Sequence, residues 1–262
     1  MAVNISKTKY MIFRPKGQQL NLQGKTVIYN NNEIGQPDSP ELIFELERCF
    51  NENPVKEHRT YKLLGVYFDE HLSFDQHVQT VCSKISQSNF IISRAKNFLD
   101  KKSLKMLYSS MVHPHLIYCL PIYGCTSQKN IAKLSKIQKK VIRTISKSPY
   151  NAHTHELFQS LEILPIEQLI KYTQSLLIHA IYHKHCPPSL QNTWTLNNQR
   201  NDIHNLRNSS ELYVPLARTE HVKKLTLFAL PKIWNNLPDF KSNPNKIAFK
   251  RTLKTHLLNL IP

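Results

Sequence analysis

The side chains able to do chemistry are few and widely spread. Asp69 and Glu70 are adjacent, with Asp75 close behind, a grouping that acid–base or metal chemistry could use. Their place after YKLLGVYF favours a turn and a helix N-terminus instead, where a carboxylate meets unpaired N–H groups. His179, His183, His185 and Cys186 form the run HAIYHKHC, in which His179 and His183 share one helix face at zinc-ligand spacing. No second pair stands at that spacing, and His153 with His155 would come from a separate loop. Histidines satisfied by local hydrogen bonds at a helix end are the expectation, so no metal and no other cofactor is assigned to this chain. Cys82 and Cys119 sit among apolar neighbours and read as packing thiols. Trp194 and Trp234 offer ring faces either to a nucleobase or to a core. Glycine occurs only at 17, 24, 35, 65 and 124, which excludes a Walker loop and a G-x-G-x-x-G turn, both dependent on glycine for close approach to phosphate.

What the chain has in quantity is positive charge. Its 262 residues carry 35 Lys and Arg against 18 Asp and Glu, a formal charge of +17, and such a surplus draws polyanions by Coulomb attraction and counterion release. The charge is unevenly placed. Residues 1–75 hold 9 basic and 10 acidic side chains, whereas residues 76–149 hold 13 basic ones against the single acid Asp100. The densest stretch is KNIAKLSKIQKKVIRTISK at 129–147. At 100° per residue, Ile131, Leu134, Ile137, Val141, Ile142 and Ile145 share one arc, and Lys129, Lys133, Lys136, Lys139, Lys140, Arg143 and Lys147 take the opposite one. Two readings follow for that stripe: a solvated amphipathic face, or a track for nucleic-acid phosphates. Lys84, Arg94, Lys96, Lys101, Lys102 and Lys105 in neighbouring helices tip the balance toward the second.

The elements that must position these residues change character near residue 75. Upstream, Lys9–Arg14 (KYMIFR) and Thr26–Tyr29 read as strands, Asn30 to Asn32 as a turn, Leu42–Phe50 as a short helix or strand, and Tyr61–Phe68 as a strand with Gly65 at a bend or close approach. Downstream, Val78, Val81, Cys82, Ile85, Ile92, Ala95 and Leu99 recur at helical spacing. Asp100 or Ser103 is placed to cap a second helix through Met111, stopped before Pro114. Further helices are predicted at Ile166–Tyr182 and Asn245–Leu258, with an Asn-, Arg- and Ser-rich loop at about 187–212. No secretory signal opens the sequence, and Leu116–Cys125 is too short to span a bilayer and is broken by Pro121. Five cysteines at 49, 82, 119, 125 and 186, with no C-x-x-C pair, point to reduced thiols and an intracellular protein, cytoplasmic or nuclear and not secreted.

Three blocks taken in order carry a resemblance. NISKTKYMIF at 4–13, YKLLGVYFDEHLSFDQHV at 61–78, and a third set comprising LYSSMVHPHLIYCLPIYG, IQKKVIRTISKSPYNAHT, LPKIWNNLPDFKSNP and FKRTLKTHLL together resemble the region downstream of the catalytic centre in reverse transcriptases of non-LTR (LINE-type) retrotransposons. The resemblance implies that Lys7 matches a lysine near the incoming triphosphate, where an ammonium stabilises anionic charge, although a solvated strand-end lysine is an equal alternative. It implies that Lys62, Leu64, Gly65, Val66 and Tyr67 match the primer-grip hairpin. It implies as partners an RNA template and a DNA primer paired as a duplex, with no membrane.

The departure from that family is as informative. Its members hold two Mg²⁺ ions on palm aspartates to stabilise the attacking and leaving oxygens. Here aspartate occurs only at 38, 69, 75, 100, 202 and 239, none in a Tyr-x-Asp-Asp hairpin, so no catalytic residue is assigned. The fold implied is α+β: a palm remnant with a small antiparallel sheet at 1–74, a basic helical thumb-like domain at 75–150, and a helical C-terminal region at 151–262. The function implied is that of a polymerase fragment that binds primer and template without polymerising. A standalone basic nucleic-acid-binding protein and an inert transposon remnant or interaction module are the alternatives.

Overall fold

The computed structural model describes Phe13, residues 60–199 and 211–217, Val222, Lys223 and residues 225–261. Lys7, the expected strands at Lys9–Arg14 and Thr26–Tyr29, the asparagine turn and the Leu42–Phe50 element lie outside the described residues, Phe13 excepted. The architecture is α+β, mostly helical with a two-stranded antiparallel sheet at its start. The chain divides between Phe74 and Asp75 into two compact units.

In the first unit, β1 (Thr60–Leu63) pairs with β2 (Val66–Asp69), with Thr60 opposite Asp69 and Leu63 opposite Val66. The continuous strand expected over Tyr61–Phe68 is therefore folded back on itself. The reason lies in its middle. Leu64 and Gly65 have φ of 47° and 87°, the double left-handed geometry of a tight hairpin turn, which glycine adopts at little cost and which matches the right-handed strand twist. Asp69 then organises the exit from β2. Its Oδ1 accepts the N–H groups of His71 (3.0 Å) and Ser73 (2.9 Å), and its Oδ2 accepts the Ser73 hydroxyl (2.9 Å) and the Phe74 N–H (2.8 Å).

The second unit opens with α1 (Asp75–Ala95), whose Val78, Val81, Ile85 and Ile92 form the buried stripe that the spacing predicts. Asp100 caps α2 (Lys101–Met111) by accepting the Ser103 N–H at 3.1 Å. The α1–α2 pair is an antiparallel hairpin, tied by the Ser88 hydroxyl donating to the Met111 carbonyl at 3.0 Å. Helix α2 ends before Pro114 as expected, but the chain stays helical beyond it. In α3 (His113–Ile117) and α4 (Leu120–Tyr123) the prolines occupy the first turn, where a missing N–H goes unused. The apolar run Leu116–Cys125 becomes core, with Leu116, Leu120 and Tyr123 fully buried. Gly124 permits this close seating: a Cβ there would meet the Leu120 carbonyl at 2.6 Å and Ile170 at 3.1 Å.

Helix α5 (Gln128–Ile145) packs along α1, and α6 (His155–Leu161) against α5. Helix α7 (Ile166–Tyr182) is the hub, touching α3, α4, α5, α8 (Pro188–Gln191), α9 (Thr226–Asn235) and α10 (Lys246–Asn259). The predicted spans at Ile166–Tyr182 and Asn245–Leu258 are thus present, with Asn245 acting as the cap of α10 through the N–H groups of Ile247 and Ala248. The expected 187–212 loop contains structure in its described part: α8, a 3-10 turn at Asn197–Gln199, and a bridge between Leu196 and Leu212. Asn235 clamps that bridge, donating to the Leu212 carbonyl (2.9 Å) and accepting its N–H (3.0 Å).

Candidate nucleic-acid interface

The segment from Ser127 to Lys147 forms a helix because its capping residue, its periodic apolar positions and its absence of Gly and Pro all agree. The Ser127 hydroxyl accepts the Asn130 N–H, and Leu134, Val141, Ile142 and Ile145 point into the core. The inward face is more polar than the apolar arc implied. Ile131 and Ile137 are only half-buried, while Asn130, Ser135 and Gln138 are buried. The buried arc turns toward groups that require partners. The Gln138 amide donates to the Tyr108 hydroxyl (3.0 Å) and the Leu164 carbonyl (2.9 Å), and the Asn130 amide donates to Asp75 (2.6 Å) and Thr126 (2.8 Å). Burial pushes the Tyr108 hydroxyl up to about 12, against the opposing hydrogen bond from Gln138.

The outward face carries the cations. Lys129, Lys133, Lys136, Lys140 and Lys147 are exposed, and Lys139 and Arg143 half-exposed. No carboxylate of the described residues lies within ion-pair distance of any of them. Arg143 differs from the rest. Its Nε–H donates to the Ala152 carbonyl at 2.9 Å and its guanidinium lies 5.9 Å from the Tyr150 ring centre, so it ties down the turn after α5 as well as adding charge. Lys147 has φ of 54° and ends the helix in a left-handed cap closed by the Ser148 N–H on the Arg143 carbonyl at 3.0 Å. Lys84, Arg94, Lys101 and Lys102 on α1 and α2 are exposed too, and Lys105 is engaged by Glu162 at 3.4 Å.

The hairpin residues Lys62, Leu64, Gly65, Val66 and Tyr67 come together at one turn. Lys62 faces Tyr67 across the ladder, its ammonium 5.5 Å from the ring centre. Lys62, Leu64 and Gly65 are exposed and Val66 is buried. Lys7, the nucleotide-proximal candidate, lies outside the described residues.

The remaining candidates have structural employment. Burial alone would raise the Asp69 carboxyl, but the bonds from Ser73, Phe74 and His71 outweigh it and hold it below the usual range. Asp69, Asp75 and Asp100 are thus engaged in a turn, an amide contact and a helix cap. Among the described residues no group of three His, Cys, Asp or Glu could hold a metal ion. The carboxylates described here do not fit a two-metal centre. The His179 ring stacks on Phe249 at 4.0 Å and its Nε2 meets the Asn243 carbonyl at 2.9 Å, while the His183 Nε2 meets the Lys241 carbonyl at 3.3 Å. Burial lowers the His179 pKa, an effect reinforced by His183, His185 and Lys246 and opposed by the Asn243 bond. Trp234 is core, and Trp194 donates its indole N–H to the Leu227 carbonyl at 3.0 Å. Burial raises the Cys82 thiol and pushes that of Cys125 to about 11, which suits packing and not nucleophilic attack. Sequence reasoning missed three exposed rings beside cations, Phe90, Phe98 and Tyr150. The available signal for two of them was an aromatic residue four positions before Arg94 and four after it; Phe90 shares the α1 face of Arg94, and Phe98 lies in the turn just beyond the end of α1.

Comparison with known proteins adds a relation over part of the chain. The RNA-directed DNA polymerase from mobile element jockey of Drosophila melanogaster is 26% identical over 134 residues, 48% of this chain and 14% of that protein. The jockey polymerase of Drosophila funebris is 28% identical over 115 residues, 42% of this chain and 12% of the relative. The probable RNA-directed DNA polymerase from transposon X-element of Drosophila melanogaster is 26% identical over 147 residues, 52% of this chain and 16% of the relative. The chain therefore has distant similarity, over about half its length, to reverse transcriptases of non-LTR retrotransposons, and spans only a small part of each relative. No family model and no solved structure matches it. No helix among the described residues is long and apolar enough to cross a membrane.

Proposed function

We propose that this chain is a primer- and template-holding part of an RNA-directed DNA polymerase of the non-LTR kind, and that it does not polymerise by itself. The observation that carries the proposal is the outer face of α5, where Lys129, Lys133, Lys136, Lys140 and Lys147 stand exposed with no carboxylate of the described residues in reach. Uncompensated ammonium groups at one- and two-turn spacing suit a duplex backbone, whose condensed counterions are released on contact. The hairpin turn at Leu64 and Gly65, with Lys62 beside Tyr67, supplies an exposed backbone and one cation for a primer strand end. Lys7 keeps its proposed place near an incoming triphosphate on sequence grounds alone. Two Mg²⁺ ions would supply the phosphoryl-transfer chemistry in an intact polymerase of this kind. The chain offers no adjacent pair of aspartates to hold them, so its own residues bind and orient.

The test is a salt-titrated binding measurement with an RNA/DNA duplex, comparing the parent with a K129E/K136E/K140E variant. All three lysines are exposed, so the variant should melt within about 0.5 kcal/mol of the parent. Its affinity should fall at least tenfold, and the slope of log affinity on log salt should shrink by about 3. Unchanged affinity would reduce the stripe to a solvated face. Incorporation of dNTPs on a primed RNA template by the purified chain would refute the claim that it does not polymerise.

A further inference from the structure

One end of the helical unit gathers exposed aromatic rings among cations, and its position follows from three contacts. Asp75 meets Asn130, so α1 and α5 begin together; Ser88 meets Met111, so α2 runs back along α1; and Tyr108 of α2 meets Gln138 of α5. Helices α2 and α5 are therefore antiparallel. At about 1.5 Å per residue, moving some 10 Å from the Tyr108–Gln138 contact brings Lys101 level with Ile145. The α1–α2 turn and the turn after α5 consequently lie at the same end.

Phe98 in the first turn is 88% exposed and Tyr150 in the second is 79% exposed. Both rings are open to solvent, and basic residues lie close to each in sequence. Lys96, Lys101 and Lys102 flank Phe98, and Lys147 precedes Tyr150. Two guanidinium groups already lie against rings of this end, Arg94 at 5.2 Å from Phe90 and Arg143 at 5.9 Å from Tyr150. Asp100, the one acid in the turn, faces α2 as its cap. Rings separated by positive charge do not make the continuous apolar face that a lipid surface or a second protein copy would cover. They do make a set of flat faces beside phosphate-binding groups, the arrangement on which unpaired bases stack.

We infer that this end of the helical unit binds the unpaired nucleotides of a single-stranded overhang by stacking them on Phe98 and Tyr150, next to the duplex tracked by α5. This rests on the nucleic-acid reading of α5 and adds a single-strand subsite to it. Because both rings are exposed, replacing them leaves the core intact.

The test compares a blunt RNA/DNA duplex with the same duplex bearing a short unpaired overhang, by fluorescence anisotropy on the whole chain. The overhang should tighten binding by about tenfold for the parent. The F98A/Y150A variant should lose that gain while keeping the blunt-duplex affinity, and F98Y/Y150F should retain it. Blunt-duplex binding with no overhang gain, or a gain that survives F98A/Y150A, overturns the subsite and leaves the α5 reading standing. Failure of the parent to bind either duplex overturns both. Binding of phosphatidylserine vesicles lost in F98A/Y150A, with the overhang gain unaffected, reassigns the rings to a lipid surface and likewise overturns the subsite.

Discussion

Helices α5 and α7 have nearly the same length, 18 and 17 residues, and opposite situations. Helix α5 is a border: one side meets α1, α2 and α7 and the other presents lysines to solvent. Helix α7 is a centre, covered by five other helices besides α5, with even Thr173, Gln174, Ser175 and His179 buried. The difference teaches where binding capacity can reside. Several polar groups of α7 and its cap are engaged inside the fold: the Thr173 hydroxyl donates to the Ile170 carbonyl, His179 meets the Asn243 carbonyl, and His183 just past the helix meets that of Lys241. The cations of α5 stay in solvent, with no carboxylate of the described residues in ion-pair reach, because the helix needs only its inward arc to be stable.

The sharpest way to break this contrast is to damage the cover of α7. Phe249 is 1% exposed and stacks on His179, so F249A should cost about 3–5 kcal/mol, measured by denaturant unfolding. A loss under 1 kcal/mol would mean that α10 does not seal the centre. Next in size is the inward side of α5. Gln138 is fully buried and serves both Tyr108 and Leu164, and Q138A should cost about 1–3 kcal/mol by leaving those groups without their donor. Indifference to Q138A would make α5 a border on both sides. The smallest effect concerns acidity. Because the His179 pKa lies below its ordinary 6.5 in the folded protein, the unfolded chain takes up the proton first. Stability is then complete above about pH 6.5 and declines as pH falls from there toward the depressed folded value. His77, His113 and His115 act with the same sign. Thermal melts from pH 7.5 to 5 should fall for the parent and fall less for H179Q.

Much of this was legible beforehand. The α1 stripe, the Asp100 cap and the spans of α5, α7 and α10 follow from strong local signals: long periodicity and capping side chains. The short helices α3, α4, α6 and α9 were not legible. A helix such as Leu120–Tyr123 has no period to read, and tertiary burial of Leu120 and Tyr123 decides its conformation. The hairpin was half legible: Gly65 marked the break, but the left-handed Leu64 beside it is chosen by the turn and not by leucine. The cationic face of α5 could be read from spacing alone. The restraint of Arg143 by Ala152 depends on how the chain turns back after α5, and the shared end of Phe98 and Tyr150 on contacts between helices far apart in sequence; neither is encoded in a local periodicity.

The dependence of α7 on α10 also has a consequence for synthesis. The Asn243 carbonyl that receives His179 lies 64 residues further along the chain. At a translation rate of about 5–20 residues per second, that gap is roughly 3 to 13 seconds. For that interval α7 exists without Phe249, Leu253 and Leu257, which cover it in the folded chain. Helix α10 thus closes over α7 only after the intervening residues have been made, and until then the apolar side of α7 lacks that cover.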